Sequence, residues 1–177
     1  MKVAIYGQYY LNSTEPIIKD IFVFFNKNNV EMIIEAHFLD MLYDKKIVQK
    51  AYKTFSSHTE LDSSFDMMLS IGGDGTILRA VTLVRNSGIP ILGVNAGRLG
   101  FLASVPKENI DTFLQYVIDK KYTLSPRTLL SIDCTPEHEE ITGLNFAMNE
   151  VTVSRKDTAS MITIETYLNN EYINSYW

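Results

Sequence analysis

Phe65-Asp66-Met67-Met68-Leu69-Ser70-Ile71-Gly72-Gly73-Asp74-Gly75-Thr76-Ile77-Leu78-Arg79-Ala80-Val81-Thr82-Leu83-Val84-Arg85 changes its period in the middle. Up to Ile71 it is short and mostly apolar, as a buried strand is. From Ile77 the apolar residues at 77, 78, 81 and 84 keep helical spacing. Gly72-Gly73-Asp74-Gly75-Thr76 therefore joins a strand to a helix. Its glycines let the backbone turn and let a ligand come close. The helix that follows offers unpaired N–H groups and the positive end of its dipole, which suits a phosphate. Asp74 is out of place in a plain phosphate cradle, because a carboxylate repels phosphate. It can bind a metal, accept a hydrogen bond from a sugar hydroxyl, or take a proton. The plainer alternative is a tight turn in which Asp tolerates left-handed geometry. Arg79 is odd in the complementary way. A cation in the early turns of a helix opposes the dipole, and an anionic partner nearby would explain it.

Outward from this turn, strand and helix alternate. Val3 to Gly7 reads as a buried strand, and Pro16 to Lys27 as an amphipathic helix with apolar residues at 17, 18, 21, 22 and 25. Asn28-Asn29 closes that helix. Val30 to Phe38 reads as a second strand and 39–55 as a helix, with a polar loop over 56–64. After the central strand and helix, Ile89 to Val94 is the next strand and Pro106 to Lys120 the last helix. The alternation predicts an α/β fold, a parallel sheet with helices on both faces, over residues 1–121. Ligands of such sheets sit beyond the carboxyl ends of the strands, where Gly72–Thr76 falls.

Past Tyr122 the pattern changes. Thr128 to Cys134, Met148 to Ser154, Met161 to Leu168 and Glu171 to Trp177 are β-type runs with no helix between them. Asn169-Asn170 suits a two-residue hairpin turn, since Asn accepts positive φ. Such a turn places Thr166 opposite Ile173 and Ile162 opposite Trp177. Residues 122–177 are expected to be the beginning of an incomplete antiparallel β domain.

Composition narrows the function classes. The chain has 177 residues, 46% of them hydrophobic, enough for a core. A net charge of −5 leaves no general nucleic-acid footprint. No apolar run reaches membrane-spanning length, and the first residues lead into a strand rather than a signal peptide. No membrane partner and a cytoplasmic location are expected. Cys134 is the only cysteine, which excludes an internal disulfide and fits a reducing compartment. It reads as a small buried apolar residue rather than a nucleophile. His37, His58 and His138 have no metal-ligand spacing, so no protein metal site is expected. Gly-x-Gly-x-x-Gly spacing and a Gly-Lys-Ser/Thr loop are both missing, which argues against a Rossmann oxidoreductase and a Walker-type NTPase.

Two further stretches complete the pattern. Asn95-Ala96-Gly97-Arg98-Leu99-Gly100-Phe101-Leu102 is a second glycine-bearing loop at a strand's carboxyl end. Arg98 can meet a phosphate and Phe101 can offer a flat face to a base; Leu99 and Leu102 read as core plugs. Asn149-Glu150 is a polar pair between Ala147-Met148 and Val151-Thr152-Val153. It suits the hydroxyl or amino groups of a nucleoside, or edge-strand solvation.

Taken together, Gly72-Gly73-Asp74-Gly75, Asn95 to Phe101 and Asn149-Glu150 resemble the NAD kinase family, whose members carry Gly-Gly-Asp-Gly, Asn-x-Gly-x-Leu-Gly-Phe and Asn-Glu in this order. The resemblance implies transfer of the γ-phosphoryl of ATP, or of polyphosphate in some members, to the 2′-hydroxyl of NAD's adenosine ribose. Asp74 would be the base. Gly75 and Phe101 would line the adenosine site, Asn149 and Glu150 would bind the dinucleotide, and Arg79 matches a basic position near the nucleotide. Gly72, Gly73 and Arg98 would face phosphate, with Mg²⁺ or another divalent cation entering with ATP. Homodimers or homotetramers are implied as well. One departure stands out: the family continues with an Asp-Gly pair and a loop rich in Thr, Ser and Gly. The 1–177 stretch is thus expected to be an N-terminal fragment or a shortened member, inactive by itself. A lipid or sphingoid kinase shares Gly-Gly-Asp-Gly-Thr but follows it with Pro-x-Gly-Thr-x-Asn-Asp. A non-catalytic dinucleotide-binding module is the other alternative, and it has no need of Asp74.

Overall fold

The computed structural model describes residues 1–8, 14–96, 100–103, 105, 110–156 and 161–177. Two compact units divide the chain, Met1–Arg127 and Thr128–Trp177.

In the first unit, β1 (Lys2–Gly7), α1 (Glu15–Lys27), β2 (Glu31–Glu35), α2 (Ala36–Asp44), β3 (Lys53–Phe55), β4 (Met67–Gly72), α3 (Asp74–Val84), β5 (Ile91–Asn95) and α4 (Ile110–Ile118) follow in chain order. The strands form one parallel sheet in the order β3-β2-β1-β4-β5. The order reverses between β1 and β4. A crevice opens beyond the strand ends at such a reversal, because the connections on either side leave in opposite directions.

Alternation along each strand feeds two apolar layers. Val3, Ile5, Met32, Ile34, Leu69 and Ile71 face one way, against Ile18, Ile21 and Phe25 of α1, Leu39 and Leu42 of α2, and Leu114 of α4. Ala4, Tyr6, Ile33 and Met68 face the other way, with Phe55 of β3 and Ala80 and Val84 of α3. Helices thus cover both faces of a parallel sheet, as the alternating pattern predicts. α1 begins with Glu15 and Pro16, which suit a first turn, and ends at Asn28, with Asn29 at φ 53°.

The predicted strand over 30–38 and helix over 39–55 are both corrected. β2 stops at Glu35, whose carboxylate accepts from the N–H groups of His37 (3.2 Å) and Phe38 (2.8 Å) and so caps a helix starting at Ala36. That helix ends at Asp44, and Lys53–Phe55 pairs in parallel with Ile33–Glu35 as an edge strand. The apolar residues of 39–55 serve different layers of the core, as one helical face could not. Leu42, Ile47 and Val48 join one core, and Phe55 joins the other.

In the second unit β6 (Leu130–Ser131) pairs antiparallel with β7 (Phe146–Ala147), and α5 (Glu139–Gly143) lies between them in sequence. β8 (Ile164–Leu168) and β9 (Glu171–Tyr176) form an antiparallel hairpin across Asn169 and Asn170, at φ 52° and 69°. The two-residue turn is as predicted, but the register is not. Tyr167 pairs with Tyr172, their rings 5.6 Å apart, and then a bulge at Ile173 puts Thr166 opposite Asn174. The Thr166 hydroxyl donates to the Asn174 carbonyl at 2.8 Å. The strand predicted over 148–154 does not form: residues 148–155 lie outside regular structure. Cys134 is half-buried rather than buried. Among the described residues none beyond Val117 is buried.

Candidate functional site

The crevice is built where β1 and β4 end side by side. Gly7 pairs with Ile71, and the Gln8 N–H donates to the Ile71 carbonyl at 3.1 Å. Gly73 caps α3 in an extended conformation, so Asp74 is the first helical residue. The Gly73 carbonyl accepts from Thr76 (3.0 Å) and Ile77 (3.3 Å). This closes the first turn at once after the strand.

The glycines of this turn differ in what they face. A Cβ on Gly72 would collide with the Thr76 hydroxyl, so packing inside the protein demands glycine there. Gly73 and Gly75 look into open space, with nothing within 4 Å of where a Cβ would stand. Nothing in the described protein requires glycine at these two positions. A ligand set close to the backbone would.

The second loop leaves the sheet beside the first. Asn95 is the register partner of Gly72, and the Ala96 N–H donates to the Gly72 carbonyl at 3.1 Å. Further along, the chain returns to the head of α3. The Asp74 carboxylate accepts from three successive backbone N–H groups, those of Phe101 (2.8 Å, to Oδ2), Leu102 (2.9 Å, to Oδ1) and Ala103 (3.0 Å, to Oδ1). These bonds stabilise the ionised form. They hold the carboxyl below the usual Asp range, the Ala103 N–H contributing most, then Phe101, then Leu102. Gly100 fits against the same carboxylate so closely that a Cβ would overlap it. Phe101 itself is 100% exposed, whereas Ala103 is buried and Leu102 half-buried.

Arg79 points elsewhere. It lies five residues after Asp74, about 140° around the helix, and its positive charge acts on the Tyr6 phenol. Burial pushes the Tyr6 phenol up, and Arg79 works against that. The Thr76 hydroxyl donates to Gln8 Oε1 at 3.3 Å. A polar chain from α3 to the end of β1 results. Sequence reading missed Tyr6, Gln8 and Thr76; the signal available was their place at the carboxyl end of the first strand and in the first turn after the glycines.

The first two sequence signals are therefore brought together: Gly72, Gly73, Asp74 and Gly75 adjoin the loop that carries Phe101. Arg98 lies outside the described residues, as does Leu99. Asn149 and Glu150 belong to the second unit, just after β7, and both are exposed. Among the described residues no three His, Cys, Asp or Glu side chains gather as a metal site would require.

Comparison with known proteins points one way. Residues 15–122 match the family model described as ATP-NAD kinase N-terminal domain. The NAD kinase of Flavobacterium johnsoniae is 72% identical over 177 residues, covering 100% of this chain and 60% of that protein. The NAD kinase of Christiangramia forsetii is 44% identical over the same shares of each. This chain thus spans about 60% of the length of these curated relatives. Two crystal structures share the fold. The yeast NADH kinase complexed with NADH has a TM-score of 0.78 at 19% identity, over 98% of this chain and 54% of that one. An NAD kinase from Archaeoglobus fulgidus in complex with ATP has a TM-score of 0.64 at 22% identity, over 99% and 57%. With the glycine turn, its carboxylate and the facing loop in place, the chain belongs to the NAD kinase family.

Proposed function

We propose that the protein is an NAD kinase, moving the γ-phosphoryl of ATP to the 2′-hydroxyl of NAD's adenosine ribose to give NADP and ADP. The observation that carries this is the open space at Gly73 and Gly75 on either side of Asp74, at the point where the strand order reverses. A nucleotide can approach the backbone there with a carboxylate between the two contacts.

Phosphoryl transfer asks mainly for positioning and charge stabilisation. The ribose oxygen forms a bond to the γ-phosphorus as the bond to the ADP oxygen breaks, and the hydroxyl proton passes to Asp74. Gly72, Gly73 and Arg98 face phosphate in this scheme, and Gly75 and Phe101 the adenosine. Asn149 and Glu150 hold the dinucleotide. Arg79, whose charge acts on Tyr6, supplies a cation on the β1 side of α3. The divalent cation, Mg²⁺ by preference, arrives on the phosphates of ATP; it fits as part of the substrate, since the described carboxylates do not cluster. Residues 1–121 form the α/β nucleotide-binding domain, with the β-rich domain following from 122. No described helix is long and apolar enough to cross a membrane. A cytoplasmic homodimer or homotetramer is the setting that family membership supports.

The test is competition among acceptors. With labelled ATP, NAD should be phosphorylated in preference to diacylglycerol or sphingosine. Phosphorylation of a lipid but not of NAD would overturn the assignment, and binding of NAD without transfer would favour a sensing module.

A further inference from the structure

Side chains of β1 and α3 meet in two rows at the edge of the crevice. The upper row is closed by a hydrogen bond, the Thr76 hydroxyl donating to Gln8 Oε1 at 3.3 Å. Tyr6 precedes Gln8 by two residues. The ladder is unbroken between them, since the Gln8 N–H still bonds the Ile71 carbonyl at 3.1 Å. Both side chains therefore leave the strand on the same face. Arg79 follows Thr76 by three residues and so lies on the same side of α3. The bond in the upper row thus sets the register of the lower one, which brings Arg79 to Tyr6. Ala80, next to Arg79, packs in one apolar cluster with Tyr6.

The two partners differ in freedom. Tyr6 is 9% exposed and held among Ala4, Ile33, Met68 and Ala80. Arg79 is exposed, and among the described residues it forms no salt bridge. Burial pushes the Tyr6 phenol up; of the charges acting on it, that of Arg79 comes first and draws it down, while Glu35 at the end of β2 opposes. A guanidinium on a long, flexible stem loses rotamer entropy when it grips a ligand. Beside a phenol oxygen that is fixed by packing, part of that loss is met before the ligand arrives.

We propose that Tyr6 is a positioning residue for Arg79: its buried side chain gives the guanidinium a fixed seat at the carboxyl end of β1, ready for a phosphate group of a bound nucleotide. The inference rests on the kinase reading for the nucleotide, whereas the seat rests on the register of β1 and α3. Tyr6 touches no substrate in this scheme and acts through Arg79 alone. NAD and ATP both carry phosphate, and the two KM values tell them apart.

The experiment uses the full-length protein and two readouts. In steady-state kinetics Tyr6→Phe, which keeps the ring and removes only the hydroxyl, should raise KM for one nucleotide about three- to tenfold, the scale of immobilising one long side chain. Its kcat should stay within about twofold of the wild type, as loss of uniform binding requires. Arg79→Ala should raise the same KM on the order of tenfold or more, the scale of a charge-assisted contact. Adding Tyr6→Phe to Arg79→Ala should then cost nothing further. By NMR with no nucleotide present, the Arg79 Nε–H should be more mobile in Tyr6→Phe than in the wild type. The Tyr6 Cζ resonance should shift in Arg79→Ala, a change at an exposed position that leaves the fold intact. Unmoved signals in both variants would overturn the seat. Effects on KM that multiply in the double variant, or a fall in kcat alone, would overturn the positioning role. A wild-type protein that does not phosphorylate NAD would instead defeat the kinase reading, with the NMR signals still deciding the seat.

Discussion

Gly93 of β5 has no room for a side chain, because the Ile77 Cδ1 methyl of α3 occupies the space where its Cβ would stand. The contact seats the first turns of α3 directly on the sheet, and so sets the height of Asp74 above β4 and β5. The Cα of Ala103 closes in from the other side, 3.1 Å from the same Cβ position.

Gly93→Ala should therefore destabilise the protein by about 1–3 kcal/mol, as overpacking does. Ile77→Val removes the offending methyl and should restore part of the loss, while costing about 0.5–1.5 kcal/mol in the wild type. Urea unfolding of the two single variants and the double one checks this. Additive losses would show that Gly93 and Ile77 do not compete for space.

Phe101→Ala should leave stability within about 0.5 kcal/mol of the wild type, since the ring is 100% exposed. Affinity for NAD should fall all the same. A large loss of stability would mean that Phe101 serves packing rather than ligand.

Asp74→Asn should lower kcat by a factor on the order of 10²–10⁴, the usual range for general-base loss. It should raise KM for NAD as well, because the hydrogen bonds that order the backbone at Phe101, Leu102 and Ala103 weaken with the loss of the charge. A carboxylate held below its usual range is ionised at neutral pH but is a weak base, which favours the lower part of that span. Turnover within a few-fold of the wild type would leave Asp74 a structural role only, as acceptor for the Phe101, Leu102 and Ala103 N–H groups.

The same depressed pKa has a sign in stability. The unfolded carboxyl titrates near 3.8 and the folded one below that. Between the two, the unfolded chain binds more protons, so stability falls as the pH falls. The contribution of these three hydrogen bonds is complete above the unfolded value and is lost as pH drops through the folded one. Subtracting the acid unfolding curve of Asp74→Asn from that of the wild type isolates it. A difference that does not change below pH 4 would contradict the three hydrogen bonds.

Residues 1–127, expressed alone, should unfold cooperatively, because every buried residue among those described lies between Val3 and Val117. Residues 128–177 alone should show no cooperative transition. Their hairpin exposes Tyr167, Leu168, Tyr172, Ile173 and Tyr176, and an isolated hairpin is marginal in water. Circular dichroism through a urea series reads both.

Local pattern determined much of this protein. The apolar spacing of Ile17, Ile18, Ile21, Phe22 and Phe25 marked α1, and the change of period at Gly72 marked strand, turn and helix. Those features depend on neighbours a few residues apart, so a linear reading reaches them. Asn169-Asn170 showed the hairpin turn for the same reason, whereas the bulge at Ile173 arose only from strand pairing. Glu35 and Phe55 could not be placed by period, because one ends a strand by capping the next helix and the other crosses to the opposite layer of the core. The state of Asp74 was furthest from view. Its partners are backbone N–H groups 27 to 29 residues away, and every residue but proline carries one. Residue identity therefore says nothing about which of them will meet the carboxylate, and only the chain's return past β5 brings Phe101, Leu102 and Ala103 to it.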